Sequence, residues 1–69
     1  MNRLKELRLK RKLSQNALAS VLGINQNNIS RYETHERKAD YFTLIKLADF
    51  FNVSVDYLLG RTNNPEINL

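Results

Sequence analysis

Apolar residues recur every three or four positions along most of this chain, which is the spacing that places them on one face of an α-helix. Five segments show this period, and no segment shows the alternation of a β-strand as strongly. The predicted helices cover residues 2–12, 15–22, 26–34, 41–51 and 55–59. The pattern therefore predicts an all-α fold of five short helices around one core.

Polar residues that commonly begin helices precede four of these segments. A side-chain oxygen at that position accepts a hydrogen bond from a free backbone N–H group of the first turn. The predicted N-caps are Ser14, Asn25, Asp40 and Ser54. Gly23, Asn52 and Gly60 follow the second, fourth and fifth helices. At Gly23 we expect the left-handed backbone that often ends a helix.

The apolar stripes of these helices define an expected core. The stripe of the first helix holds Leu4 and Leu7 but also Arg8 and Arg11, and an arginine there is costly unless it is paired. Leu13 then returns the chain to the core. The other expected core residues are Leu18, Val21, Leu22, Ile29, Tyr32, Leu44, Ile45, Leu47, Ala48, Phe50 and Phe51.

Length and composition limit the class of protein. A chain of 69 residues has room for one small domain, which we place at residues 1–61 with a C-terminal tail at 62–69. The hydrophobic fraction of 42% suits a folded globule, and the absence of cysteine excludes disulfides and thiolate metal sites. The charged N-terminus and the lack of a ~20-residue apolar run favour a cytoplasmic protein without a signal peptide or membrane segment.

Positive charge is concentrated in the first part of the chain. Residues 1–40 hold nine Lys and Arg against four acids, a net charge of +5, whereas residues 41–69 hold two against three, a net charge of −1. The basic excess therefore accompanies the third predicted helix. Such an asymmetry is typical of a surface that binds a polyanion.

The third predicted helix carries polar residues along one whole side. At 100° per residue, five of them fall within an arc of roughly 140°: Gln26, Asn27, Ser30, Arg31 and Thr34. Amide and guanidinium groups placed side by side can reach base edges in a DNA major groove. A helix of this kind, braced by a short helix before it, is what a helix-turn-helix DNA reader requires.

The run LSQNALASVLGINQNNISRYE, followed by LIKLADFFNVSVDYLLG, closely resembles the lambda-repressor-like (Cro/CI, XRE) helix-turn-helix domain over residues 3–61. The parts that match in register are Ser14-Gln15, Ala19, Gly23, Ile29, Tyr32-Glu33 and residues 53–59. The resemblance implies a compact five-helix domain that controls transcription and binds operator DNA as a two-fold dimer. The chain departs from it at Lys12 and His35, where the family often has Gly, and at Ala39, which replaces a frequent Pro.

Candidate roles follow from the polar arc and from the resemblance. Gln26 and Asn27 suit adenine, and Arg31 suits guanine or a phosphate. The expected base-contacting residues are Gln26, Asn27, Asn28 and Arg31. The expected phosphate-contacting residues are Gln15, Asn16, Asn25, Ser30, Thr34, Arg37 and Lys38. The resemblance also implies a structural ion pair between Arg8 and Glu33. The residues leave Val55, Leu58 and Leu59 divided between the core and a dimer contact, and the resemblance favours a dimer interface at Val55, Tyr57, Leu58 and Leu59.

The leading hypothesis is a sequence-specific regulator of transcription, bacterial or phage-encoded, that represses by binding a pseudo-palindromic operator as a homodimer. Because no second domain follows in the sequence, we expect the dimer to be weak off DNA. The alternative is an antitoxin-like interaction module that uses DNA binding for autoregulation. Its partner surface would be Phe42 or the C-terminal tail, since Leu9, Tyr41 and Phe42 are hard to bury together.

Two other classes have less support. An enzyme is disfavoured because the chain has one histidine, His35, no cysteine and no Gly-rich phosphate loop. An RNA reader would normally offer aromatic platforms or disordered basic segments, whereas the basic face here carries amides. We therefore expect double-stranded DNA as the partner, with no cofactor, metal or small-molecule substrate.

Overall fold

The computed structural model describes residues 1 and 3–67, and within them the chain forms five α-helices and no strand. The helices are α1 (Leu4–Lys10), α2 (Gln15–Leu22), α3 (Gln26–Glu33), α4 (Tyr41–Phe51) and α5 (Val55–Leu59). The predicted all-α, five-helix fold is confirmed. None of the helices in the described residues is long and apolar enough to cross a membrane.

All four predicted N-caps are confirmed, because each side chain accepts a hydrogen bond from the first turn of its helix. The donors are the backbone N–H groups of Ala17 to Ser14 at 2.9 Å, Asn27 to Asn25 at 2.8 Å, Thr43 to Asp40 at 2.9 Å and Tyr57 to Ser54 at 3.0 Å. Each cap contributes about 1 kcal/mol. Local sequence thus sets where α2 to α5 begin.

Helix α1 is shorter than the predicted span of 2–12, whose first residue lies outside the described part of the chain. It ends at Lys10 because Lys12 has a left-handed backbone with φ of 57°. The backbone N–H of Leu13 then bonds to the carbonyl of Arg8 at 3.1 Å. His35 also has a positive φ, of 65°. Both positions where the family often has Gly therefore require the backbone that Gly adopts most easily.

The core lies where all five helices meet. Five side chains, one from each helix, are fully buried: Leu4, Leu18, Ile29, Leu47 and Leu58. Small residues, Ala19 on α2 and Ala48 on α4, are also buried and let neighbouring backbones approach closely. Tyr32, Phe51 and Val53 complete the buried set.

Two residues predicted for the core lie at the surface instead. Val21 is 63% exposed, because it lies about 100° around α2 from Leu22 and so points away from the stripe. Ile45 is 38% exposed at the edge of the α4 stripe. In contrast, Leu9, Tyr41 and Phe42 are exposed as expected.

Part of the segment predicted as a tail is packed against the domain. Arg3 donates hydrogen bonds to the carbonyl of Thr62 at 3.0 Å and to Oδ1 of Asn63 at 2.8 Å. The backbone N–H of Ser54, just before α5, bonds to the carbonyl of Pro65 at 2.9 Å. The last two residues of the predicted tail lie outside the described residues.

Candidate nucleic-acid interface

Helices α2 and α3 form a helix-turn-helix unit around Gly23. The glycine has φ of 67°, and nothing lies within 4 Å of the position that a Cβ would take there, so its backbone conformation alone favours glycine. The next residue, Ile24, bonds through its N–H to the carbonyl of Ala19 at 2.9 Å. This turn closes the end of α2 and places α3 across it.

Helix α3 turns its apolar residues inward and its amides outward. Ile29 and Tyr32 are buried, whereas Gln26, Asn27, Arg31 and Thr34 are exposed and Ser30 is half-buried. The polar arc deduced from helical spacing is therefore the free side of the helix. This side of α3 offers hydrogen-bond donors, hydrogen-bond acceptors and one cation. No carboxylate of α3 is exposed beside them.

The carboxylate that α3 does carry is turned inward. Glu33 accepts hydrogen bonds from Nε of Arg8 at 2.6 Å and from Nη2 at 3.1 Å, and the Glu33 side chain is only 3% exposed. The third guanidinium nitrogen, Nη1, donates to the carbonyl of Leu13 at 2.7 Å. The hydrogen bonding of Arg8 to the Glu33 carboxylate, rather than its bond to Leu13, raises the pKa of the Arg8 guanidinium above its ordinary value.

Gln15 completes this buried cluster, which the sequence patterns did not reveal. Its side-chain Nε2 donates to Oε1 of Glu33 at 3.1 Å, so the first residue of α2 is fixed against the last residue of α3. We refer to Arg8, Gln15 and Glu33 as the ion network. The network joins α1, α2 and α3 through polar atoms, and one amide hydrogen of Gln15 remains free of it.

The loop after α3 folds back along that helix. The backbone N–H groups of Glu36 and Arg37 both bond to the carbonyl of Arg31, at 2.9 and 3.3 Å. The Arg37 side chain donates from Nη1 to Oδ1 of Asn28 at 3.3 Å. Asn28 and Arg37 were expected at the interface separately, but no pattern in the sequence indicated that they pair.

The remaining residues expected at phosphates are distributed around this unit. Asn16 at the start of α2 and Lys38 in the loop are exposed. Asn25 is exposed too, but its side-chain oxygen is engaged as the α3 cap, so only its NH₂ group is free. Lys46 was not singled out from the sequence, and its Nζ caps the carbonyl of Leu22 at the end of α2 at 3.2 Å.

The expected dimer residues of α5 do not share one environment. Leu58 is fully buried in the core, so its assignment to a dimer interface is wrong. The ring of Tyr57 is covered by the Arg3 guanidinium, whose Cζ lies 4.2 Å from the ring centroid. Val55 and Leu59, four residues apart on the same face of α5, are half-buried and remain candidates.

Among residues 1 and 3–67, no three His, Cys, Asp or Glu side chains are grouped so that they could hold a metal ion. The geometry consists instead of an exposed amide and guanidinium face on α3, which packs against α2, a helix of the same length. Its chemical capacity is hydrogen bonding to base edges together with charge pairing to an anion.

Comparison with known proteins agrees with this geometry. A helix-turn-helix family model matches residues 4–58. In Bacillus subtilis (strain 168), the chain is 49% identical over 59 residues to the HTH-type transcriptional regulator ImmR, covering 86% of this chain and 46% of that protein. It is 39% identical over 66 residues to the HTH-type transcriptional regulator AnsR, covering 96% of this chain and 57% of AnsR. The chain thus spans about half the length of the curated relatives it matches.

The five-helix fold and the match to the family model define the class of protein as helix-turn-helix. Within that class the chain belongs to the lambda-repressor-like (Cro/CI, XRE) helix-turn-helix family.

Proposed function

We propose that the protein is a sequence-specific DNA-binding repressor of the Cro/CI type, acting in the cytoplasm on a pseudo-palindromic operator. The observation that carries this proposal is the free polar face of α3, from which the only carboxylate of the helix has been withdrawn into the ion network. A carboxylate on that face would repel phosphates. Its burial leaves Arg31 and the amides to meet DNA.

Base reading is assigned to the first two turns of α3. Gln26 and Asn27 are exposed in the first turn, where an amide can accept from adenine N6 and donate to N7. Arg31 is exposed one turn later and suits guanine O6 and N7. Asn28 belongs to the same set but lies at its edge.

Phosphate contacts are assigned to the residues that border this face. They would fix the register of α3 in the groove without reading sequence. Gln15 and Asn25 each keep free amide hydrogens for an anion beyond their structural bonds. The other members of the proposed set are Asn16, Ser30, Thr34, Arg37 and Lys38.

The proposed homodimer uses the free side of α5. Leu59 lines an apolar depression of about 390 Å³ together with Ala39 and Leu44, and Val55 lies one turn away. Two copies joined there would present their α3 helices to successive major grooves, about 34 Å apart. We expect Leu59→Asp to abolish cooperative occupancy of two half-sites in a footprint while leaving binding to a single half-site.

The test of the whole proposal is a selection from randomised duplex DNA at two salt concentrations. A dimeric reader enriches a palindrome with half-sites about one turn apart, and its affinity falls by roughly 0.9 log units per neutralised phosphate for each decade of salt. Gln26→Ala and Arg31→Ala should relax the selected motif. Arg61→Ala is the matched control, because this exposed arginine pairs with Asp56 in the acidic part of the chain.

A second function is favoured by one surface feature. Tyr41 and Phe42 are 73% and 77% exposed at the start of α4, and their rings pack edge to face with centroids 5.7 Å apart. An antitoxin-like module would use such an apolar pair to bind a protein partner. Binding that is insensitive to salt and is lost in Phe42→Ala, with no enriched DNA motif, would favour this function over the regulator.

A further inference from the structure

Asn28 differs from the other amides of α3 in its surroundings. It lies about 60° beyond the end of the exposed arc and is half-buried, whereas Gln26 and Asn27 are exposed. Its side chain lines a polar cleft of about 380 Å³ between α3 and the start of α4, together with three cations and one carboxylate: Arg37, Lys38, Lys46 and Asp40. Asn28 is the one amide of α3 that lines this cleft.

Arg37 is held on α3 at two points one turn apart. Its backbone N–H bonds to the carbonyl of Arg31 at 3.3 Å, and its side-chain Nη1 bonds to Oδ1 of Asn28 at 3.3 Å. The neighbouring N–H of Glu36 reinforces the first point at 2.9 Å from the same carbonyl. The backbone anchor keeps the guanidinium within reach of Asn28 before any DNA arrives.

This pairing decides which way the Asn28 amide faces. A guanidinium has five donors and no acceptor, so it stabilises the amide with the carbonyl oxygen towards it. The opposite orientation would place the NH₂ group against a cation and lose the hydrogen bond. With the oxygen engaged, the NH₂ group is the part of Asn28 that is free to meet a base.

The orientation has a consequence for sequence reading. Adenine is recognised by an amide that accepts from N6 and donates to N7 together, which needs both ends of the amide. A donor alone can bond to N7 of adenine but leaves the N6 amino group without an acceptor, whereas O6 and N7 of guanine and O4 of thymine are all acceptors. Asn28 in this arrangement offers the donor and withholds the acceptor.

We propose that Arg37 is a positioning residue that sets the base preference of Asn28, so that this asparagine prefers guanine or thymine to adenine. The proposal rests on the proposed function, since it names how one position of the same DNA-reading face gains its specificity. It assigns Arg37 a role beyond phosphate neutralisation. Neutralising a phosphate is the only role that its neighbour Lys38 would have.

The two roles of Arg37 predict different results. A residue that only neutralises a phosphate weakens binding to every sequence equally and lowers the salt dependence by about one charge. A residue that orients Asn28 changes which base is preferred at one position. Lys38→Ala is the matched control, because Lys38 is the adjacent exposed cation and the structure gives it no hydrogen bond to a side chain of α3.

The experiment is the randomised-duplex selection with five versions of this chain: the unaltered chain, Arg37→Ala, Lys38→Ala, Asn28→Ala and the double variant Asn28→Ala with Arg37→Ala. We expect the unaltered chain to enrich guanine or thymine at the position that loses its preference in Asn28→Ala. Arg37→Ala should admit adenine there, with the preference falling by roughly tenfold. In the Asn28→Ala background the same Arg37 change should have no further effect at that position, while Lys38→Ala lowers affinity without changing the motif.

A DNA-free measurement accompanies the selection. The side-chain NH₂ resonances of Asn28 should shift in Arg37→Ala and stay in place in Lys38→Ala. Unshifted resonances in Arg37→Ala, or equal and uniform losses of affinity in the two variants, would overturn the proposal. If the unaltered chain enriched no motif, the proposed function and the base preference would both fail, whereas an enriched motif that Arg37→Ala leaves unchanged would reject the positioning role alone.

Discussion

The two parts of this small domain are held together by different forces. Helices α1 to α3 are joined by the ion network, in which four hydrogen bonds link Arg8 and Gln15 to Glu33 and Leu13. Helices α4 and α5 are joined to the rest chiefly by apolar side chains, with Leu47 and Leu58 fully buried, beside single polar contacts such as that of Lys46 with the carbonyl of Leu22. The difference follows the surface that each part carries. A helix whose outer face is polar has few apolar residues to bury, and α3 buries only Ile29 and Tyr32.

The two parts of the domain also differ in the sign of the charge that they expose. The ion network takes a carboxylate off the α3 surface and holds it against a cation, so the outer face of α1 to α3 keeps its basic character. The acidic residues Asp49 and Asp56 stay exposed on α4 and α5. Stability and the proposed DNA binding would thus be coupled in the first part of the domain, because the same pair both fixes α3 and removes its negative charge.

Breaking the ion network should have the largest effect on stability. Glu33→Ala leaves the Arg8 guanidinium buried without its carboxylate, and Arg8→Ala leaves the carboxylate without its cation. Either change should lower the free energy of unfolding by about 3–5 kcal/mol, as measured by urea denaturation.

The matched control for this prediction is the double variant Arg8→Met with Glu33→Leu. Replacing both charges by apolar groups of similar size leaves no unpaired charge, so most of the lost stability should return. The double variant should still bind DNA if Glu33 serves structure alone. A double variant as unstable as the single ones would show that the network is needed for more than charge pairing.

Truncating the apolar part of the domain comes next in size. Leu47→Ala removes a fully buried side chain from α4 and should cost about 2–5 kcal/mol, because the lost burial is accompanied by a cavity. The control is Val21→Ala, whose side chain is 63% exposed and whose change should stay within about 0.5 kcal/mol. Similar losses of stability in both variants would contradict the exposure of Val21 and the burial of Leu47.

These two kinds of contact also explain what could be predicted from the sequence. The caps at Ser14, Asn25, Asp40 and Ser54 depend on local hydrogen bonds, so the sequence predicted where four helices begin. The end of α1 was harder, because Lys12 adopts the left-handed backbone without being Gly or Asn. Periodicity likewise misplaced Val21, since a two-turn helix buries a stripe too narrow to include it.

Residues at the candidate site were harder to place than the helices. The polar arc of α3 could be deduced from helical spacing alone. The bond from Gln15 to Glu33 and the bond from Arg37 to Asn28 join residues 18 and 9 positions apart, and no local pattern indicates such pairs. The burial of Leu58 could not be predicted for the same reason. Helix α5 has only about one and a half turns, and which of its sides is buried depends on how it packs against distant parts of the chain.

A smaller change in stability is expected from substitutions at the end of α1, where Lys12 has a left-handed backbone and Lys10 has a helical one. Lys12→Gly should raise the free energy of unfolding by about 0.5–1 kcal/mol, because glycine adopts a positive φ without the cost that a side chain incurs. Lys10→Gly is the matched control, since it places the same substitution inside α1 and should cost about 1 kcal/mol. Equal signs of the two changes in thermal unfolding would contradict the left-handed backbone at Lys12.

The smallest expected effect concerns acid stability and the cap of α4. Hydrogen bonds from the side chain and the backbone N–H of Thr43 hold the pKa of Asp40 below its ordinary value of 3.8, and Arg37 adds a small contribution in the same direction. A carboxyl whose pKa is lower in the folded state stabilises the fold above its unfolded pKa, and this stability is lost as the pH falls through the folded value. We therefore expect a small loss of stability below about pH 4 that is absent in Asp40→Asn, since asparagine caps a helix equally well but does not titrate. The quantity to compare is the difference in stability between the two proteins in urea denaturation at pH 6 and at pH 3, because it isolates residue 40 from the rest of the chain. A difference that does not change between those two pH values would show that the charge of Asp40 contributes nothing to the stability of the domain.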